Sequence, residues 1–290
     1  MLALWRFWQT RGHIIEARQW CERVLGVRGL APSDRLRALE AAGGIVYWQG
    51  DPEAVKRYYQ EAYDLARQFG TLAERANAAY NFSFTFFVVT ATTVTPDPAL
   101  ARPLMEEAIE VWRALGDRAG VARASWALAS LLQQASLAPS GEQLEHALAY
   151  AREGLAEHRI LGNRFDAAWS LHLVGLITLK LGDADGAEPP WREALEMFRE
   201  VSDVSGYALL TADFGRLAQV RGQRVRQATL VGATYGLVRS TGMALATSFG
   251  PAEGFATPED IAPELDAALQ RGRAMSADEA VAYALGSEET

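Results

Sequence analysis

The sequence has few of the residues from which catalytic and metal sites are usually built. It contains one cysteine, Cys21, and four histidines among 290 residues. A single cysteine excludes an internal disulfide and is typical of proteins from a reducing cytoplasm. The histidines are dispersed without zinc-site spacing, and neither a phosphate-binding P-loop nor a nucleophile elbow is present. We therefore predict a cytoplasmic protein that is not an enzyme, with no catalytic residues, no metal and no cofactor.

Lysines and long apolar runs are also scarce. Lys56 and Lys180 are the only lysines, and the formal net charge is −8. Because nucleic-acid binding requires a concentrated basic surface, we expect no direct contact with nucleic acid. The apolar opening segment MLALWRFWQTRG is interrupted by Arg6 and fits neither a signal peptide nor a membrane helix. Membrane contact is therefore not expected either.

The sequence does contain an internal repeat with a period near 40 residues. Segments 47–71 and 179–203 each contain a helix end, a Gly-Asp turn and an amphipathic helix. In that helix a large residue precedes a small one by three positions, as in Tyr59/Ala62 and Trp191/Ala194. The same pair recurs as Cys21/Val24, Met105/Ala108, Ala151/Gly154 and Val231/Thr234. Since glycine permits a tight turn and aspartate caps the following helix, each copy is predicted to be a helical hairpin.

These features resemble tetratricopeptide repeats (TPR). The family pattern is matched best within 174–194, at Val174, Gly175, Gly182, Asp183, Ala187, Trp191 and Ala194. Two copies depart from it because their inter-helix turns are lengthened, at 90–98 and 134–142. The pair Pro189-Pro190 is a further departure and is predicted to kink or delay its helix.

The resemblance implies an all-α fold, an α-α superhelix in which about six helical hairpins form a right-handed, TPR-like solenoid. The array is predicted over residues 1–240, with units at about 1–30, 34–70, 72–116, 118–162, 164–202 and 204–240. Residues 241–290 break the period and are predicted to form an irregular connection followed by C-terminal capping helices. A capping box of Ser276 and Glu279 is expected to start the last of these helices.

The order of the segments resembles a narrower group. Residues 3–25, the repeats, RQATLVGAT at 226–234 and GRAMSADEAVAYAL at 272–285 are similar to the C-terminal sensor region of bacterial signal-transduction ATPases, including LuxR-type transcriptional regulators. This resemblance implies a regulatory region whose further partner is an upstream ATPase module of the same polypeptide. The apolar first helix would then face a neighbour on its N-terminal side. The alternative is a stand-alone TPR adaptor or peptide-binding protein.

In TPR proteins the first helix of each unit lines the concave groove. Aligning the units predicts the groove residues Arg37, Tyr47, Asn77, Tyr80, Arg123, Trp126, Gln133, Trp169, His172 and Arg216. Aromatic, arginine and amide side chains suit a protein or peptide partner, or a small-molecule effector. The competing interpretation is that the aromatic residues form the core between helices, since an alignment error of one residue rotates a side chain by about 100°.

Overall fold

The computed structural model describes residues 2–86, 97–134, 139–248 and 255–286, and all regular structure within these ranges is helical. The α-helices are α1 (Leu2–Thr10), α2 (Ile14–Leu25), α3 (Pro32–Trp48), α4 (Pro52–Phe69), α5 (Leu72–Ser83), α6 (Pro98–Leu115), α7 (Arg118–Gln134), α8 (Gly141–Ile160), α9 (Arg164–Lys180), α10 (Ala184–Glu200), α11 (Val204–Val220), α12 (Arg224–Thr241), α13 (Leu245–Ser248), α14 (Asp266–Ala274) and α15 (Ala277–Leu285). Short 3₁₀ turns follow α5 and precede α14. Residues 90–96 and 135–138, which belong to the two lengthened turns, lie outside the described residues. No helix in the described ranges is long and apolar enough to cross a bilayer.

Helices α1 to α12 pair consecutively into hairpins, which we call units one to six. The turns within units two and five have the predicted chemistry. Gly50 and Gly182 adopt φ values of 67° and 90°, which residues other than glycine rarely adopt. Asp51 then accepts a hydrogen bond from the Ala54 amide at 3.1 Å, and Asp183 caps α10 in the same way. The chain is an all-α superhelix of stacked hairpins.

The repeated small and large residues form the contact between the two helices of a unit. A Cβ atom added at Gly43 would lie 2.2 Å from the ring of Tyr59, and one added at Gly175 would lie 2.4 Å from Trp191 Nε1. The large side chain of the second helix therefore packs directly on the backbone of the first. In units two and five the close approach therefore requires glycine at this position of the first helix.

Helix α10 differs from the expectation drawn from its proline pair. The helix is not delayed, since it begins at Ala184, directly after its cap, and continues through Pro189 and Pro190 to Glu200. Both prolines lie in the second turn, so their missing N–H groups affect only carbonyls near the start of the helix. Of the two expectations, the delay was therefore wrong, and the kink stays a prediction.

Unit one packs against unit six, so the superhelix closes on itself. Gln9 Nε2 donates a hydrogen bond to Ser205 Oγ at 3.2 Å. A Cβ atom at Gly12 would lie 2.7 Å from Thr241 Cγ2. We call this contact the seam, formed by Gln9, Gly12 and Ile15 of unit one with Ser205, Thr241 and Gly242 of unit six. Within α1, Trp8 is buried in this chain, whereas Leu4 and Phe7 are 48% and 51% exposed.

The C-terminal helices cover the last unit. Helix α14 packs on α12 through glycines, because a Cβ atom at Gly232 would lie 2.0 Å from the Leu269 carbonyl oxygen. Helix α15 contacts α10, α11 and α12. The capping box predicted at its start is present, since the side chains of Ser276 and Glu279 each accept a hydrogen bond from the other residue's amide.

Candidate functional site

A cavity of about 460 Å³ lies inside the superhelix. It is lined mainly by the first helices of the units, α1, α3, α5, α7, α9 and α11. The second helices contribute Tyr59 and His158, and the C-terminal segment contributes Leu245 and Phe255. The volume falls in the range of roughly 300–1,000 Å³ that is typical of ligand sites. The superhelix therefore contains a space large enough for a small molecule or part of a peptide.

The structure brings nine of the ten predicted groove residues to this cavity. They are Tyr47, Asn77, Tyr80, Arg123, Trp126, Gln133, Trp169, His172 and Arg216. Arg37 is exposed and does not line the cavity, whereas Glu40, one turn later on α3, does. Arg37 therefore lies in the part of α3 that precedes the cavity, one turn before Glu40.

The aromatic lining residues serve both the helix packing and the cavity. The ring of Phe84 contacts Tyr80 at a centroid distance of 5.1 Å and Tyr47 at 6.0 Å. The same ring stacks on Trp126 at 6.0 Å and 23°. Trp126 Nε1 also donates a hydrogen bond to the Trp169 carbonyl oxygen at 3.1 Å. These rings join α3, α5, α7 and α9 and present a rigid apolar wall to the cavity.

Two predicted amide side chains are held by charged neighbours. Asn77 Nδ2 donates a hydrogen bond to Glu40 Oε1 at 2.7 Å. Burial raises the pKa of Glu40, and the hydrogen bond from Asn77 opposes this shift. Gln133 Oε1 accepts a hydrogen bond from Lys180 Nζ at 2.7 Å. Both amides are therefore fixed in position, and each retains hydrogen-bonding capacity for a ligand.

A second charged cluster lies near the C-terminal segment. His172 Nε2 is 2.8 Å from Asp213 Oδ2, and Arg216 Nη1 is 3.7 Å from Asp213 Oδ1. The Arg216 guanidinium carbon lies 4.6 Å from the ring centroid of Phe255. No group of three or more metal-ligating side chains was found among the described residues. The cluster therefore offers ionic and aromatic contacts rather than a ligand set for a metal ion.

Arg6 is a cavity residue that the sequence-based groove prediction missed. Its guanidinium carbon lies 3.9 Å from the ring centroid of Trp5 and 4.7 Å from that of Phe165. Its Nη1 donates a hydrogen bond to Gln9 Oε1 at 2.9 Å. The repeat alignment did contain a signal, because extending it to unit one places Arg6 at the position of Arg216. The other lining residues at that position are Phe84, Ser130 and Leu176.

Comparisons with known proteins match the fold. No protein-family model matches the chain, and no curated protein matches it by sequence. The crystal structure of a Rap protein complexed with competence and sporulation factor is similar, with a TM-score of 0.61 and 13% identity. That match covers 75% of this chain and 57% of the Rap chain, so this chain spans little more than half of that protein's length.

The shared feature is the superhelix. The apo form of RapI is a weaker match, with a TM-score of 0.48 and 9% identity over 92% of this chain and 99% of that one. At these identities the comparison with the Rap protein supports the TPR-like all-α architecture. Function must therefore be argued from the cavity itself.

Proposed function

We propose that this protein is a non-enzymatic binding protein that holds a short peptide in the cavity of its superhelix. The observation that carries this proposal is a lining that combines aromatic rings with charges of both signs. The positive groups are Arg6, Arg123 and Arg216, and the negative groups are Glu40, Asp166 and Asp213. A peptide offers apolar side chains, amide groups and charges of both signs, so its chemistry is complementary to this lining.

Two biological settings are consistent with a peptide-binding superhelix of this kind. One is the sensor region of a bacterial signal-transduction regulator of the LuxR type, which the order of the sequence segments supports. The other is a stand-alone TPR adaptor, which the same cavity serves equally well. In either setting peptide binding stabilises one arrangement of the superhelix, because a ligand shifts a conformational equilibrium only through its differential affinity for the states.

The proposal is tested by screening hexapeptide pools, each with one position fixed, for an increase in the melting temperature of the protein. Hits are then resolved to single peptides and measured by titration calorimetry. A ligand at 100 times its Kd stabilises the folded state by about 2.7 kcal/mol, which is readily detected. If no pool raises the melting temperature, peptide binding is refuted. Binding only by small metabolites in a parallel screen would assign the cavity to a small-molecule effector instead.

Tryptophan variants locate the binding site. Trp126→Ala and Trp169→Ala each remove a large ring from the cavity wall, and we expect at least a tenfold loss of peptide affinity, about 1.4 kcal/mol. Trp20→Ala is the matched control, because Trp20 is exposed and lies outside the cavity. Circular dichroism establishes that each variant is folded. Equal affinity of all three variants and the unsubstituted protein would show that the peptide binds elsewhere.

A further inference from the structure

Two arginines of the cavity, Arg6 and Arg123, form no ion pair with a carboxylate in the part of the chain that the structure describes. The third arginine of the lining differs, since Arg216 lies beside Asp213. Arg6 is exposed and Arg123 is half-buried, so a ligand in the cavity can reach both guanidinium groups. An anion supplied from outside the chain would satisfy both groups.

The two guanidinium groups are fixed by aromatic rings. Arg6 lies against Trp5 and Phe165, as described above. The guanidinium carbon of Arg123 lies 5.7 Å from the ring centroid of Tyr80 and 5.1 Å from that of Trp112. Cation–π contacts hold a guanidinium group in place without neutralising its charge. The N–H groups that remain can donate to a carboxylate, the acceptor that a guanidinium group binds most strongly.

Arg6 and Arg123 act on the same part of the cavity, although they belong to units one and four. Each interacts electrostatically with Tyr80. The surrounding protein is the main cause that lowers the pKa of Arg6, and the positive charge of Arg123 lowers it further, although the Arg6 side chain retains accessible surface and lines the cavity. The two like charges therefore reinforce each other's demand for an anion.

Two acidic side chains of the cavity lining are already engaged. Asp166 raises the pKa of Arg6 from a distance, and its Oδ2 accepts a hydrogen bond from Asn163 Nδ2 at 2.7 Å. Glu40 accepts a hydrogen bond from Asn77. Within the described residues neither carboxylate forms an ion pair with Arg6 or Arg123, so both arginines retain N–H donors for a ligand.

We propose that Arg6 and Arg123 together bind a carboxylate of the peptide ligand, with the surrounding aromatic rings holding both guanidinium groups in place. This inference rests on the proposed peptide-binding function and assigns the chemical class of the group recognised at this end of the cavity. The carboxylate is either the C-terminus of the peptide or an aspartate or glutamate side chain. The arms of the experiment distinguish these two sources.

The experiment uses the hexapeptide pools in two forms, with a free C-terminal carboxylate and with a C-terminal amide. For each peptide that binds, every aspartate or glutamate is also replaced by asparagine or glutamine. Amidation that lowers affinity at least tenfold identifies the C-terminus as the recognised group, and loss on side-chain replacement identifies an acidic residue. Both results support the inference, and neither depends on whether an arginine variant folds. Unchanged affinity in both arms overturns the inference and leaves peptide binding intact.

Arginine variants test the residues themselves. Arg6→Gln and Arg123→Gln should each lower the affinity for the carboxylate peptide at least tenfold and change the affinity for its neutral analogue little. A double-mutant cycle that combines each arginine variant with each form of the peptide then assigns the contact. Arg37→Gln is the matched control, since Arg37 is exposed on α3 outside the cavity. Equal losses for the charged and neutral peptides would show a packing role and overturn the inference. If no pool binds at all, the proposed function fails and the inference fails with it.

Discussion

One repeat position gives opposite outcomes for the same substitution in two units. Gly175 in α9 and Gly215 in α11 are equivalent positions 40 residues apart, and both are buried helical glycines. A Cβ atom at Gly175 would lie 2.4 Å from Trp191 Nε1, whereas one at Gly215 would meet only Leu230 Cβ at 3.6 Å. The first distance requires displacement of an indole ring, and the second is an ordinary contact.

The magnitudes follow from this difference. Trp191 is fully buried, and its Nε1 donates a hydrogen bond to the His172 carbonyl oxygen at 2.9 Å, so the ring cannot move without breaking that bond. Overpacking costs about 1–3 kcal/mol, and the helix preference of alanine over glycine offsets about 0.5–1 kcal/mol. We therefore expect Gly175→Ala to destabilise the protein by about 1–2 kcal/mol. For Gly215→Ala only the second effect applies, so a gain of about 0.5–1 kcal/mol is expected.

Urea unfolding followed by far-UV circular dichroism measures the change in unfolding free energy for both variants. The dependence of that free energy on urea concentration is compared between variants, because repeat arrays can depart from two-state behaviour. The double variant Gly175→Ala/Trp191→Phe provides a second measure. A phenyl ring is smaller than the indole, so the two substitutions should cost less together than the sum of their separate effects. Equal stability of the Gly175→Ala and Gly215→Ala proteins would refute the proposed role of the glycine–tryptophan contact.

Three further predictions concern buried polar groups. Burial raises the pKa of Cys21 to about 11, so its thiol should resist alkylation at neutral pH until urea unfolds the chain. Mass spectrometry measures the extent of alkylation, and rapid labelling of the native protein would contradict the burial of Cys21. Burial lowers the pKa of His158 in the fold, so protonation of His158 favours the unfolded chain. The free energy of unfolding should be highest above the unfolded pKa of about 6.5. Below that pH it should fall by at most about 1.4 kcal/mol per pH unit. His158→Gln should flatten that decline in urea titrations, and the exposed His146→Gln should not; equal slopes would exclude His158 as the cause. Ser205→Ala removes the acceptor of the Gln9 amide at the seam and the hydroxyl that donates to Asp203 Oδ1, and it should cost about 1–3 kcal/mol in urea unfolding. An unchanged midpoint would show that neither hydrogen bond contributes to stability.

The hairpins were predictable because their signals are local. A turn glycine and the capping aspartate next to it lie within a few residues of the helix that they start, as at Gly182 and Asp183. The large and small residues of a unit, such as Trp191 and Gly175, are also close in sequence. Such contacts depend on helix geometry alone, so a periodic pattern is sufficient to reveal them.

The positions of the cavity residues were largely predictable from the repeat register. Nine residues followed from it, because equivalent positions on stacked first helices face the same side. The register specifies the face of a helix and not where along the helix the cavity ends, so it did not reveal that Arg37 is exposed one turn before the lining residue Glu40. The groove prediction did not extend to unit one and therefore missed Arg6.

The seam could not be predicted, because it joins residues far apart in sequence. Gln9 and Ser205 are separated by 196 positions. Whether they meet depends on the sum of small rotations between successive units, and each rotation is set by side-chain packing that a periodic pattern does not specify.

The closed seam changes how this repeat protein tolerates alteration of its length. An open solenoid can gain or lose a unit, because each repeat contacts only its neighbours. Here the insertion or deletion of one hairpin would separate Gln9 from Ser205 and Gly12 from Thr241. It would also separate Arg6, in unit one, from the Phe165 ring in unit five. Closure thus turns the number of repeats from an adjustable property into a geometric requirement, and the shape of the cavity depends on that number.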